Sequence, residues 1–110
     1  MKGLSFYEKN GALTAALSGE LDHCLAAVVR ARIDDKVGEI MPDRLVLDIS
    51  RITFMDSSGL GLIMGRYAYC KKLGVGFSLY GADERALKIL DMAGLCSVIP
   101  SEPPVKGNAK

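Results

Sequence analysis

The chain has 110 residues, 49% of them apolar and 25% charged, a balance that suits one ordinary globular domain rather than a disordered or fibrous chain. Its 14 basic and 13 acidic residues leave a net charge of +1, without the basic excess that draws proteins to nucleic acid. No apolar run approaches the roughly 18 residues that span a bilayer, and the first residues do not resemble a secretory signal. We therefore expect a cytoplasmic protein that contacts neither nucleic acid nor membrane directly.

The first part of the chain predicts a β-hairpin followed by a helix. Residues 4–8 and 12–18 are short β-type segments, and Asn10-Gly11 between them is a strong turn signal. In residues 22–40 the apolar positions recur at steps of three and four, which places them on one face of a helix that ends before Pro42. The residues of this face are Leu25, Val29, Ile33, Val37 and Ile40.

A central strand and a second helix come next. Residues 44–49 are rich in apolar residues that favour β-structure, which is typical of a buried strand. A polar loop over residues 54–59 follows this strand. The second helix is predicted to begin near Ser57 and to end at Leu73, because Gly74 is a good C-terminal stop. Its apolar residues at helical spacing are Leu60, Ile63, Met64 and Tyr67.

The last elements are a strand over residues 75–80 and a third helix. Asp83-Glu84 suits the first turn of that helix, and Gly94 suits its end, with Leu95 packing back on Leu90 in a Schellman motif. A short final strand is expected at Val98-Ile99.

These elements predict an α/β fold of order ββαβαβα with one further short strand. Alternating strands and helices require a mixed, mostly parallel sheet with helices packed on it, and the hairpin adds an antiparallel edge. Residues 101–110 contain Pro103-Pro104 and no apolar periodicity, so we assign them to a mobile C-terminal tail after a domain of residues 1–100.

The segment between the central strand and the second helix is the best candidate for a functional site. Asp56, Ser57 and Ser58 can each cap a helix, since a side-chain oxygen there accepts from the free amides of the first turn. Alternatively, a hydroxyl at a helix start beyond the carboxyl end of a sheet is accessible to a kinase, and a phosphate there would change any docked surface. Both interpretations fit the residues alone.

Three segments of the chain match the pattern of a known family. The first is Met55-Asp56-Ser57-Ser58-Gly59-Leu60-Gly61, followed by Gly65-Arg66-Tyr67. The others are Gly19-Glu20-Leu21-Asp22 and Asp91-Met92-Ala93-Gly94-Leu95. Together they resemble the bacterial anti-sigma factor antagonists of sporulation, a group within the STAS domain family, and the last segment is similar to the end of the family's third helix. The likeness runs from about residue 4 to residue 99 and implies the STAS fold. Such proteins often finish with another helix, which the two adjacent prolines of the tail disfavour.

The resemblance implies a switch protein that is not an enzyme and needs no cofactor. Ser57 would be the phosphorylated residue. The unphosphorylated form would bind an anti-sigma factor that is also a serine kinase and so free a sigma factor, and a serine phosphatase would reset it. ATP and its metal would belong to the kinase. The partner-binding candidates are Asp56, Ser57, Ser58, Gly59, Leu60, Gly61, Glu20 and Asp22.

The glycines of the second helix suggest two further interpretations. A glycine-rich turn between strand and helix can hold a dinucleotide, but the fingerprint needs a glycine where Met64 stands. Gly61 and Gly65 share one helix face, which permits close approach of the sheet or of a partner. We therefore do not expect a dinucleotide site.

The remaining polar candidates are scattered. A triad of Ser57, His23 and Asp48 can be imagined, as can a small enzyme or ligand-binding domain that uses the same loop as an anion site, but no spacing selects either. His23 is the single histidine, so a metal site is not expected. The cysteines at 24, 70 and 96 have no zinc-type spacing and are interpreted as free, buried thiols in a reducing compartment.

Overall fold

The computed structural model describes residues 3–102, which form a five-stranded sheet and three helices. The predicted order of elements is confirmed. The strands and helices are β1 Leu4–Lys9, β2 Ala12–Leu21, α1 His23–Ile40, β3 Arg44–Met55, α2 Ser57–Leu73, β4 Gly76–Tyr80, α3 Glu84–Met92 and β5 Ser101–Glu102.

The sheet has the spatial order β1-β2-β3-β4-β5. The predicted hairpin makes β1 and β2 antiparallel, and the three other pairs are parallel because a helix crosses between their strands. Asn10 and Gly11 have φ values of 51° and 82°, which is the backbone that the tight hairpin turn demands. The mixed, mostly parallel sheet is therefore confirmed.

The two central strands are longer than predicted, and their extensions carry residues that we had assigned to loops. β2 continues to Leu21 through a register irregularity at Gly19, whose φ of 98° is accessible mainly to glycine. Beyond that irregularity Glu20 pairs with Phe54, so both lie in strands. Residues 19–21, which follow the predicted second strand, and residues 54–55 of the loop expected before α2 are thus part of the sheet, whereas residues 57–59 of that loop belong to α2.

The end of the domain also differs from the prediction. The final strand is Ser101–Glu102, paired with Leu79 and Tyr80 of β4, and not Val98-Ile99. Ile99 is buried in the core instead, so its side chain is used for packing just before the chain joins the sheet. Strand β5 therefore consists of the first two residues of the expected tail, and the rest of that tail, residues 103–110, lies outside the described residues.

The predicted faces of the helices are confirmed in α1 and partly wrong in α2. Val29, Ile33 and Val37 are buried, as the periodicity of α1 indicates. The buried face of α2 includes Leu62, whereas Met64 is 48% exposed. Apolar residues lie on nearly every side of the first half of α2, so its sequence does not define one face. The complete buried set of α2 is Gly59, Leu62, Ile63, Arg66 and Cys70.

The third helix ends as predicted. Leu95 donates its amide to the carbonyl of Leu90 at 2.9 Å, and Gly94 donates to Asp91 at 2.9 Å with a φ of 76°. These two bonds define a Schellman motif, and its two leucines are both buried in the core.

The cysteines are free, but only one of them is buried. Cys70 has no exposed surface, whereas Cys24 and Cys96 are exposed, which corrects the expectation for those two. Helices that are long and apolar enough to cross a membrane do not occur within residues 3–102.

Candidate functional site: the first turn of helix α2

Two capping aspartates lie side by side at the carboxyl ends of the parallel strands β2 and β3. Leu21 pairs with Met55 at the ends of the parallel strands β2 and β3, and the next residue in each strand is an aspartate. Asp22 accepts the amide of residue 25 at 3.0 Å, and Asp56 accepts the amide of Ser58 at 2.8 Å. The starts of α1 and α2 are thereby fixed next to each other. Asp83, which the sequence analysis placed in the first turn of the third helix, is the N-cap of α3 and accepts the amide of Ala86 at 2.8 Å.

Ser57 is the first residue of α2, and its side chain is exposed. The N-cap is Asp56, with extended backbone at φ −115° and ψ −163°, so the capping role that we allowed for Ser57 belongs to its neighbour. Ser58 is half-buried. The two adjacent serines therefore differ in access to solvent, and Ser57 is the more exposed of the two.

The first turn of α2 lies directly on the sheet edge because residue 59 is a glycine. A Cβ at Gly59 would overlap Met55 Cγ and would come within 3.2 Å of Leu21 Cδ2. At Gly61 and Gly65, by contrast, a Cβ would have no neighbour within 4 Å. The expectation that these two glycines admit the sheet is wrong, and the alternative, that they leave room for a partner, stays a prediction.

The other predicted partner-binding residues divide by their access to solvent. Gly61 and Glu20 are exposed, whereas Leu60 is half-buried and packs against the core. Phe54, which was not among the predicted contacts, pairs with Glu20 at this edge and is 45% exposed. The accessible groups at the ends of β2 and β3 therefore include Glu20 and Phe54 as well as Ser57 at the start of α2.

Sequence reasoning missed a buried ion pair between the two helices. Arg66 of α2 is 5% exposed, and its Nε lies 2.8 Å from Oδ1 of Asp34 on α1. Burial lowers the pKa of Arg66 and raises that of Asp34, and the attraction between the two charges opposes both shifts. The signal in the sequence was an arginine at helical spacing from Ile63 and Cys70, but its partner is far away in the chain.

Burial also affects the thiol next to this pair. Desolvation, together with the charge of Asp34, raises the pKa of Cys70 to about 11. The Cys70 thiol is therefore neutral at physiological pH and has little nucleophilic character.

The structure does not assemble the alternative sites. Asp48 lies in β3 seven residues before its end, about 23 Å along the strand, and its Oδ1 accepts both the amide and the hydroxyl of Ser50. It therefore cannot join Ser57 and His23 in a triad. Among residues 3–102 no three His, Cys, Asp or Glu side chains are grouped so that they could hold a metal ion.

The fold combines a hairpin, three parallel crossovers and a second helix that begins at Ser57 after the N-cap Asp56. The chain belongs to the STAS domain family, whose model matches residues 4–107. Its relatives include the anti-sigma F factor antagonist of Paenibacillus polymyxa, 37% identical over 82% of this chain and 77% of that protein. The anti-sigma-B factor antagonist of Bacillus subtilis is 30% identical over 76% of this chain and 74% of that protein. The predicted family is confirmed.

The fold is also that of the anti-sigma factor antagonist SpoIIAA, which has been solved in two forms. The unphosphorylated form matches with a TM-score of 0.77 at 24% identity, covering 91% of this chain and 88% of that one. The phosphorylated form, from Bacillus, matches with a TM-score of 0.72 at 24% identity, covering 91% of each chain. The predicted fold class is confirmed.

Proposed function

We propose that this chain is an anti-sigma factor antagonist that is switched off by phosphorylation of Ser57. The unphosphorylated form binds an anti-sigma factor that is also a serine kinase, and this binding releases a sigma factor. The kinase then phosphorylates Ser57, the complex dissociates, and a serine phosphatase restores the hydroxyl. ATP and its metal belong to the kinase, so the chain has neither catalysis nor a cofactor of its own. It acts in the cytoplasm as a binding protein.

The observation that carries this proposal is the exposed hydroxyl of Ser57 in the first turn of α2. Because Asp56 supplies the cap, modification of Ser57 removes no bond that the helix start needs. The free amides and the dipole of a helix N-terminus also favour an anion, so the folded domain can carry a phosphate there. The match to both solved forms of SpoIIAA supports this tolerance.

The charge at the sheet edge explains how a phosphate would act on a bound partner. A phosphate adds about 1.5 to 2 negative charges at pH 7 to an edge that already carries Glu20, Asp22 and Asp56. A partner that binds the unmodified edge must exclude water from it, and it would then face a charge that is costly to desolvate. A loss of only about 1.4 kcal/mol weakens binding tenfold.

The contact surface that we propose is centred on the first turn of α2. Gly59 is buried, so it shapes this turn, whereas Ser57, Gly61 and Glu20 offer accessible surface. The full set proposed for partner binding remains Asp56, Ser57, Ser58, Gly59, Leu60, Gly61, Glu20 and Asp22.

The proposal is tested by isolating the partner from the native cells on the tagged chain and adding ATP to the purified complex. We expect mass spectrometry to find phosphate on Ser57, and we expect the wild-type complex to dissociate. The complex of Ser57→Ala should persist, while that of Ser58→Ala, the matched control, should dissociate like the wild type. Phosphate on Ser58 alone, or equal dissociation of all three complexes, would contradict the proposal.

A second experiment distinguishes a switch protein from a small enzyme that uses the loop before α2 as an anion site. The chain is incubated with ATP and Mg²⁺ in the absence of any partner. A switch protein leaves ATP unchanged and acquires no phosphate. Turnover of ATP by the chain alone would favour the enzyme instead.

A further inference from the structure

The start of helix α2 and its ion pair with α1 lie about 13 Å apart along the helix axis. At its start a single residue, Asp56, joins it to β3. Nine residues after Ser57, Arg66 contacts Asp34 of α1. Each residue advances a helix by about 100° and 1.5 Å, so Arg66 lies about 180° around the axis and about 13 Å along it from Ser57. The guanidinium thus faces α1 while the Ser57 hydroxyl faces solvent.

The ion pair is a poor candidate for a source of stability. Arg66 is the only charged residue in the described part of the chain that is buried, and the side chain of Asp34 is only 24% exposed. Removing two charges from water offsets most of their attraction, and replacing such a pair by apolar residues often leaves stability unchanged or raises it. Separating the two charges without replacing them is costly, because each is then buried alone.

Both apolar contacts and the ion pair hold α2 in its orientation. Leu62, Ile63 and Cys70 are buried in the core, and Gly59 lies against Met55. These apolar contacts have no directional preference of their own, whereas the ion pair joins two particular side chains on α1 and α2. A rotation or tilt of α2 would disturb the apolar contacts and would also pull Arg66 away from Asp34.

We propose that Arg66 and Asp34 are positioning residues for Ser57, because their ion pair fixes the rotation and tilt of α2 on α1. Since the two residues lie on opposite sides of the axis, any rotation that moves Arg66 out of α1 turns Ser57 towards the body of the domain. The ion pair thereby holds the Ser57 hydroxyl in the orientation in which the kinase can phosphorylate it. This role rests on the proposed function of Ser57 as the phosphorylated residue.

The test replaces the pair by apolar residues of similar size, Asp34→Leu with Arg66→Met. The matched control, Lys72→Met, removes an exposed cation from the last turn of the same helix. A third variant, Arg66→Lys, keeps the charge but loses the planar guanidinium. Each protein is examined by urea unfolding, by kinase kinetics with the partner isolated from the native cells, and by residual dipolar couplings of the α1 and α2 amides.

We expect the apolar double variant to unfold at the wild-type urea concentration or a higher one. Its kcat/KM as a kinase substrate should nevertheless fall by about tenfold or more, mainly in kcat, because a misplaced hydroxyl reacts slowly even when bound. Arg66→Lys should lose less activity, and Lys72→Met none. The dipolar couplings should show a changed angle between α1 and α2 in the double variant, larger than any change in the control.

Two results would overturn the positioning role. The first is an unchanged helix angle and unchanged kinetics in the double variant. The second is a large loss of stability, which would mean that the pair holds the fold together. The dipolar couplings decide the helix angle without any kinase, so failure of the wild type to accept phosphate on Ser57 would count against the proposed function and not against this measurement.

Discussion

The two halves of helix α2 do opposite things with their polar groups. In the first turn Asp56 satisfies a backbone amide, and Ser57 leaves its hydroxyl in solvent. In the second half Arg66 and Cys70 are buried, and the helix ends on Gly74 in the left-handed conformation. A helix that is anchored at one end by buried groups can present a reactive group at the other end without relying on it for stability. Changes at the buried Cys70 should therefore affect folding, and removing the Ser57 hydroxyl should affect only the proposed switch.

The largest expected effect concerns the anchored half at alkaline pH. The pKa of Cys70 is about 11 in the folded state, raised from 9.0, so below pH 9 the thiol is neutral in both states. Above pH 9 the unfolded chain loses this proton and the folded chain does not, so stability falls with rising pH. Two pKa units correspond to about 3 kcal/mol in all, most of which is lost as the pH rises from 9 to 11.

Urea unfolding of wild type and Cys70→Ala from pH 7 to pH 11 measures this loss. Other groups titrate in the same range, so the relevant quantity is the difference between the two proteins. That difference should be constant up to pH 9 and should shrink above it. A constant difference up to pH 11 would mean that the Cys70 thiol ionises as easily in the folded protein as in the unfolded chain.

The next largest effect on stability is expected at Gly59, where the first turn of α2 contacts the sheet. Gly59→Ala should destabilise the domain by about 2 kcal/mol, because the new Cβ overlaps the buried Met55 side chain. Gly61→Ala, two residues further along, should be neutral or stabilising by up to about 1 kcal/mol, since it gains helix propensity and meets nothing. Thermal unfolding of both variants checks this. Equal changes in the two variants would contradict the close approach at Gly59.

The elements that the sequence predicts best are those decided by neighbouring residues. Asn10-Gly11 specifies the hairpin turn, and the end of α3 follows from Gly94 with its leucines, because both depend on local backbone conformation. The start of α2 is local as well, although three candidate caps stood in a row and only the structure shows that Asp56 takes the role.

The features that escaped prediction depend on contacts between distant parts of the chain. β3 continues to Met55 only because β2 bends at Gly19 and keeps pairing with it. The partner of Arg66 lies 32 residues earlier, on another helix. The buried face of α2 is likewise chosen by what packs on it, since its own pattern allows several faces. Local propensity cannot decide such cases, because tertiary packing overrides it.

Substitutions of the capping residue Asp56 should have a smaller effect on stability than Gly59→Ala. Asp56→Ala removes the acceptor of the Ser58 amide and should cost about 1 kcal/mol of stability. Asp56→Asn keeps an acceptor and should cost only a few tenths of a kcal/mol. Urea unfolding near pH 7 distinguishes them. Equal losses in both variants would indicate that the charge of Asp56, and not its hydrogen bond, supports the helix start.

The smallest effect on folding should come from the residue with the largest proposed effect on function. Ser57→Ala removes an exposed hydroxyl that is not the cap, so the free energy of unfolding should change by less than about 0.5 kcal/mol. Alanine is also a good helix former, so a slight gain in stability is compatible with this expectation. Phosphorylation of Ser57 should change stability by no more than about 1 to 2 kcal/mol, because the helix start favours an anion.

Unfolding in urea of wild-type, Ser57→Ala and phosphorylated protein measures these three values under one condition. Affinity for the isolated partner is measured on the same samples, and it should fall by at least about tenfold only in the phosphorylated protein. A phosphorylated domain that unfolds far more easily, yet binds unchanged when folded, would show that the modified first turn is part of the anchor. The separation between the two halves of α2 would then be wrong.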